Sequence, residues 1–363
     1  MTQSNYTVHI PNFTIGPDAI SDLQSVVGRY GDRALIVGGK TALEKSKEKI
    51  VRALTQHGRI DFQICFYGGE VSRENIDRLV GEAKKNRSNL IIGVGGGKAI
   101  DTAKGLAETL KLPIISIPTI ASTCAATTAL SITYKQNGEF AEILHMDHGP
   151  VHIFIDTTII AQSPWQYQWA GIGDAMAKYY ESKVATRNEN ISHSIQMALQ
   201  ISQLCAEPAL KYGVKAVCDN KAGIDSPDLR EVMLNNIIST GYVSLLVGAN
   251  NNGAAAHGLF YGMTALPEIE ENHLHGEVIA YGILFLLMMD NDQVEIRRLY
   301  PFYKEIGFPT RIGDLNLRQG DISDAVVEKA LASPDMGNMP YKVTREMLLD
   351  AIDNLECFIA KTL

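Results

Sequence analysis

The chain has no pair of cysteines at CxxC spacing: its five, Cys65, Cys124, Cys205, Cys218 and Cys357, are odd in number and scattered. That excludes a zinc ribbon or a dithiol redox motif and favours reduced thiols. Nor is there a surplus of positive charge, since 33 Lys and Arg face 41 Asp and Glu for a net charge of −8. A surface built for nucleic acid or anionic lipid needs a clustered positive field, so neither partner is expected. The longest apolar run, around Ile279 to Met289, falls well short of the roughly 20 residues that cross a bilayer. The opening MTQSNYTVHIPNFTIG lacks the basic flank and apolar core of a secretory signal, which predicts a cytoplasmic protein. Internal repeats and low-complexity tracts are missing as well.

What remains is an ordinary globular composition, 363 residues with 45% hydrophobic and 20% charged side chains. That length exceeds the usual size of one hydrophobic core, so two domains are the default. Up to about residue 160, β-rich runs alternate with helical patterns: 33–37 then 42–56, 61–67 then 73–85, 89–94 then 98–110, and 114–118. Such alternation predicts a Rossmann-like α/β domain, its sheet mostly parallel and covered on both faces. Ligands then belong at the carboxyl ends of the strands. From Pro164 onward helical periodicity persists through 167–185, 191–212, 228–247 and 276–291. The expected division is therefore 1–160, a dinucleotide-binding α/β domain, and 161–363, an all-α domain, with a catalytic cleft between them. Small residues at Gly241, Gly248, Gly253 to Ala256, Gly258 and Gly262 fit either tight helix packing or close approach to a ligand.

At Asn89 the sequence runs NLIIGVGGGKAIDTAKGLAETL, a buried strand feeding through Gly93, Gly95, Gly96 and Gly97 into a helix. Unobstructed backbone N–H groups at a helix start bind pyrophosphate, and Lys98 adds a charge there. The run breaks two better-known patterns, because GxGxxG needs glycine at Lys98 and a Walker A loop needs Ser or Thr at Ala99. Phosphate binding and a purely structural turn both stay open.

In the helical half, Asp174 in GIGDAMAKYYES, His257 in AAAHGLFYG, and His273 and His275 in NHLHGEVIAYG are ligand-type residues. One carboxylate and two imidazoles leave a fourth position of a tetrahedral metal free for a substrate oxygen. Each histidine also has the plainer reading of a satisfied polar group, and Asp174 could pair with Lys178 one turn on. A second histidine group, His145, His148 and His152, straddles a Gly149-Pro150 turn and reads as a solvated loop.

Taken together, GVGGGKAIDTAK, PTIAST at Pro118, GIGDAMAKYYE, AAAHGL and HGEVIAYG resemble the iron-containing alcohol dehydrogenase superfamily, and within it the glycerol dehydrogenase group. The resemblance runs almost end to end, in five separated segments in the right order. It implies NAD or NADP as cofactor and one divalent metal, zinc favoured over iron, held by Asp174, His257 and His275. Relatives with iron use a further histidine one helical turn after the aspartate, where this chain has Lys178. Gly95, Gly96, Gly97, Lys98 and Asp101 would face the pyrophosphate. Thr119, Ser122, Thr128, Leu130, Ile132 and Tyr134 would line the adenine-to-nicotinamide path, and a homo-oligomer is the family habit.

Two departures bear on substrate and cofactor. Glycerol enzymes of the family follow PTIAST with an aspartate that receives a substrate hydroxyl, whereas this chain continues Cys124-Ala125-Ala126. A thiol there spares a substrate carboxylate a repulsion on the order of 1 kcal/mol. The expected reaction is thus interconversion of a small 2-hydroxy acid and a 2-oxo acid, as in the hydroxycarboxylate dehydrogenase branch. The alternatives are a glycerol dehydrogenase, a dehydroquinate synthase-like lyase and a nucleotide-binding protein without catalysis. At the end of ALIVGGK, Gly39 stands where relatives place a ribose-binding aspartate, which makes NADP admissible. His273 is either a proton relay or a solvated loop histidine.

Overall fold

The computed structural model describes residues 7–56, 60–135, 140–187, 190–248 and 251–362. The chain divides into two compact units, one of Met1–Trp165 with Asp219–Arg230, the other of Gln166–Cys218 with Glu231–Leu363.

The first unit runs β1 (Asn12–Gly16), α1 (Leu23–Val27), β2 (Arg33–Gly38), α2 (Lys40–Thr55), β3 (Asp61–Phe66), α3 (Arg73–Lys85), β4 (Leu90–Gly95) and α4 (Gly97–Leu110). It continues through β5 (Ile114–Pro118), β6 (Leu130–Tyr134), β7 (Phe140–His145), β8 (His152–Asp156) and α5 (Thr157–Ala161). Six strands form one sheet in the order β1-β8-β5-β4-β2-β3, with every pairing parallel. Alternate residues of each strand point to opposite faces, and both faces are covered. Ala34, Ile36, Ile92 and Val94 pack with Leu23 of α1 and Ile50 and Leu54 of α2. Leu35, Val37 and Ile91 pack with Leu79 of α3 and Ala103 and Leu106 of α4. The strand order reverses between β2 and β4, the crevice where sheets of this kind bind ligands.

The antiparallel hairpin β6–β7 was not foreseen from the sequence. It is held to α4 by the fully buried Lys104, whose Nζ donates to the Thr128 hydroxyl at 3.1 Å and to the Leu130 carbonyl, and pairs with Asp101 at 2.7 Å. The domain boundary also differs from the expected 160/161, and residues 219–230 rejoin the first unit. Asn220 donates to the Ile160 and Ala161 carbonyls, closing the end of α5. Asp225 accepts from the Thr157 hydroxyl at 2.6 Å and is gripped by Arg230 at 2.7 Å. No periodicity announces such side-chain ties.

The second unit is helical, apart from Trp165, the end of α7 and the start of α8, which count with the first: α6 (Trp165–Ala185), α7 (His193–Lys221), α8 (Pro227–Leu234), α9 (Thr240–Val247), α10 (Ala255–Met263), α11 (Pro267–Asn272), α12 (His275–Met289), α13 (Gln293–Ile306), α14 (Asp324–Ala332) and α15 (Arg345–Thr362). A wide π turn, Asn235–Ser239, joins α8 to α9. Helix α12 is buried on almost all sides from Val278 to Met289, which explains its apolar run as a core helix. Among the described residues no helix is long and apolar enough to cross a membrane. The small residues of α10 serve packing: a Cβ on Gly262 would lie 2.6 Å from the Val326 carbonyl, and one on Gly258 2.8 Å from Met336.

Candidate metal centre and dinucleotide turn

Two glycines bring the metal-type ligands together. A Cβ on Gly173 would lie 2.1 Å from the Gly276 carbonyl oxygen, and one on Gly276 only 1.8 Å from that of Ala170. The backbones of α6 and α12 therefore meet where no side chain fits, directly beside Asp174 and His275. His257 arrives on the first turn of α10.

The donor atoms of Asp174, His257 and His275 all lie within 4.8 Å of one another. Asp174 Oδ1 is 3.5 Å from His257 Nε2 and 3.4 Å from His275 Nε2. Two donors each about 2.1 Å from a tetrahedral ion stand about 3.4 Å apart, so both carboxylate–imidazole spacings are those of ligands to one ion. Lys178 takes no part in that cluster; its Nζ donates to the Asn252 carbonyl at 2.5 Å and side-chain oxygen at 2.8 Å. His275 keeps 36% of its side chain exposed while Asp174 and His257 are buried, so the centre is open on the His275 side. The ring of Phe260 stands edge-on to His275 at 4.3 Å and fixes its plane.

Glu181 completes the centre and was missed in the sequence. Fully buried, it accepts the backbone N–H groups of Ala254 at 2.8 Å and His257 at 2.9 Å on Oε1, and meets His257 Nδ1 at 2.5 Å through Oε2. A neutral His257 then carries its proton toward Glu181, leaving the Nε2 lone pair for a metal. Burial works against charge on these groups, but the carboxylates of Glu181 and Asp174 outweigh it and raise the His257 pKa. Against the same burial penalty, His257 and His275 hold Asp174 below the usual carboxylate range. The only advance signal was periodic: Glu181 lies two helical turns beyond Asp174 on the same face.

Glu181→Gln tests that role. The amide keeps an oxygen for the two backbone N–H groups but turns an NH2 toward His257 Nδ1, favouring the tautomer with its proton on Nε2. Affinity for zinc, measured by chelator competition, is expected to fall about 10- to 100-fold with the fold retained. An unchanged affinity would remove Glu181 from the centre.

His273 does not join the cluster. Its ring nitrogens face Glu277 Oε1 at 3.1 Å and Glu268 Oε1 at 3.8 Å. His145, His148 and His152 are likewise apart: His152 hydrogen-bonds Thr14 at 2.9 Å, and the His148 ring lies against His9.

In the first unit, the glycine turn sits at the strand-order reversal. Gly95 ends β4 with φ +143°, a conformation that side chains resist. A Cβ on Gly96, the residue preceding α4, would lie 2.6 Å from Ile120 Cδ1, so the 120–125 segment presses against the turn. Gly97 faces Thr123 and Ala125 across it, and the Thr119 N–H donates to the Gly95 carbonyl. Ser122 and Cys124 are half-buried in the same segment, and the Cys124 carbonyl accepts the Thr127 N–H at 2.8 Å. Gly39 closes the opposite lip, its N–H donating to the Val94 carbonyl.

Of the expected cofactor residues, Leu130, Ile132 and Tyr134 belong to the hairpin strand β6, and Asp101 and Thr128 are tied to it. The Asp101 carboxylate accepts the Ile132 N–H at 3.2 Å and pairs with Lys104, which also holds Thr128 and Leu130. Burial pushes the Asp101 carboxyl up, with Lys104 pulling the other way. Tyr134 donates its N–H to the Val71 carbonyl and lies under Lys98 Nζ at 5.6 Å.

Known proteins share this architecture and sequence. A family profile described as iron-containing alcohol dehydrogenase matches residues 11–157. A glycerol dehydrogenase of Pseudomonas putida is 33% identical over 347 residues, covering 93% of either chain. Hydroxycarboxylate dehydrogenase A of Escherichia coli is 30% identical over 361 residues, 98% of this chain and 97% of that one. The crystal structure of a probable glycerol dehydrogenase from Sinorhizobium meliloti superposes with a TM-score of 0.86 at 28% identity, covering 99% of this chain and 100% of the other. The chain belongs to the iron-containing alcohol dehydrogenase family and is a glycerol dehydrogenase-like oxidoreductase.

Proposed function

We propose that the protein is a divalent metal-dependent, NAD(P)-linked dehydrogenase that oxidises the CH–OH group of a small polyol, glycerol in the first instance, and reduces the matching carbonyl compound. The observation that carries the reading is the convergence of Asp174, His257 and His275 at metal-ligand spacing. Bound there, a divalent ion supplies a positive charge that lowers the pKa of a substrate hydroxyl and polarises a carbonyl. Asp174 contributes the one ligand charge, Glu181 holds the tautomer of His257, and Phe260 walls one side of His275. At the glycine turn, the bare N–H groups opening α4 and the Lys98 ammonium would hold the pyrophosphate. A nicotinamide dinucleotide bound at that turn would supply the acceptor for the hydride lost from the substrate carbon whose hydroxyl gives up its proton.

The glycerol reading draws on the 33% identity to the Pseudomonas putida glycerol dehydrogenase. A 2-hydroxy acid/2-oxo acid pair is the second reading, favoured by Cys124, a thiol where the resemblance to glycerol enzymes calls for an aspartate. Steady-state rates with glycerol, 2-hydroxyglutarate and 2-oxoglutarate, each with NAD(H) and NADP(H) and added zinc, separate the two. Glycerol is expected to give the highest kcat/KM, by about tenfold or more. A tenfold advantage for the acids would transfer the assignment to the second reading. Dinucleotide binding without turnover of any hydroxy or oxo compound would refute both.

A further inference from the structure

The glycine turn carries an acidic residue that the proposed function does not use. Glu70, in the loop after β3, places Oε2 2.6 Å from Lys98 Nζ. Lys98 is the second residue of α4, in the helix's first turn at the proposed phosphate site.

The loop is built to hold the carboxylate there. Gly68 and Gly69 have φ +117° and +99°, and a Cβ on Gly68 would lie 2.0 Å from Asn75 Oδ1. Asn75 donates its side-chain amide to the Glu70 carbonyl at 2.9 Å, and the Tyr67 hydroxyl donates to the Gly69 carbonyl at 2.8 Å. The next residue, Val71, is tied to β6 by the Tyr134 N–H at 2.8 Å and gives its own N–H to Glu70 Oε1 at 2.9 Å. Lys98 is thus held between an oriented carboxylate and the face of Tyr134.

We propose that Glu70 is a specificity-determining residue of the dinucleotide site, a built-in competitor for Lys98 that lowers affinity for the anionic part of the cofactor. This rests on reading the glycine turn as that site. The pair is half exposed on the Lys98 side, 56% against 24% for Glu70, so it contributes little stability and opens readily. A pyrophosphate entering the turn meets a cation already neutralised and a carboxylate beside it, and both effects oppose each added negative charge. Ligands without phosphate meet neither.

The test compares the wild-type protein with Glu70→Gln in binding NADH, ADP and adenosine at low and high salt. Glu70→Gln keeps an acceptor for the Val71 N–H and is expected to bind NADH and ADP about three- to tenfold more tightly at low salt. The gain shrinks at high salt, and adenosine binding is unchanged. In a Lys98→Met background, NADH binds more weakly and at least half of the Glu70→Gln gain disappears. Unchanged or weaker NADH binding by Glu70→Gln, beside a wild type that binds NADH, overturns the role of Glu70 and leaves the site assignment standing. A wild type that binds neither NADH nor ADP overturns the site assignment and the proposal together.

Discussion

His257→Ala is expected to strip the chain of its metal and to lower NAD(P)H-coupled turnover by about a thousandfold or more. The substitution leaves Asp174 and His275, 3.4 Å apart, as a two-donor set, too few to hold zinc against buffer and chelator. The lost rate follows from the positive charge opposite a forming alkoxide, worth several kcal/mol, each 1.36 kcal/mol being a factor of about ten. The protein should still fold, because Glu181 keeps two backbone N–H groups on Oε1 and loses only its contact to the ring. Metal analysis after dialysis, turnover, and circular dichroism on one preparation check the three parts. Full metal content with full turnover would show that the three residues meet for some other reason.

The two halves of the reaction were legible in the sequence to different depths. Arg73–Lys85 and Ile114–Pro118 have the predicted bounds, and β4 with α4 fall within a residue of theirs, because strand and helix periodicities are local. The glycine turn was legible for the same reason, strand, glycines and helix being contiguous. Asp174, His257 and His275 were legible as donor types, but their meeting came only from the family resemblance and not from the residues themselves, because it depends on Gly173 and Gly276 letting two distant backbones touch. Glu181 and Lys104 were invisible for a related reason: each is a charge that is tolerable only once buried partners are supplied from elsewhere in the chain. Residues 219–230 show the limit most plainly, being assigned to the helical half by a single boundary near residue 160 and to the α/β unit by Asn220 and Asp225.

The same dependence makes Gly276→Ala the most damaging glycine-to-alanine change to expect among the described residues. Real Cβ atoms do not approach a carbonyl oxygen closer than about 3 Å, yet this one would sit 1.8 Å from that of Ala170 and 3.2 Å from the Asp174 nitrogen. Helices α6 and α12 must move apart by on the order of 1 Å, straining a close-packed core by about 3 kcal/mol or more. Because the same contact sets the 3.4 Å spacing of Asp174 and His275, separation also pulls one donor out of ligand range, where tolerance is about 0.2 Å. Metal affinity and thermal stability should therefore fall together. Gly313→Ala is the control, since a Cβ at Gly313 has no atom within 4 Å and should alter neither. If Gly276→Ala binds zinc like the wild type while its melting temperature drops, the helix crossing supports the fold alone, and the donors are positioned by Glu181 and Phe260 instead.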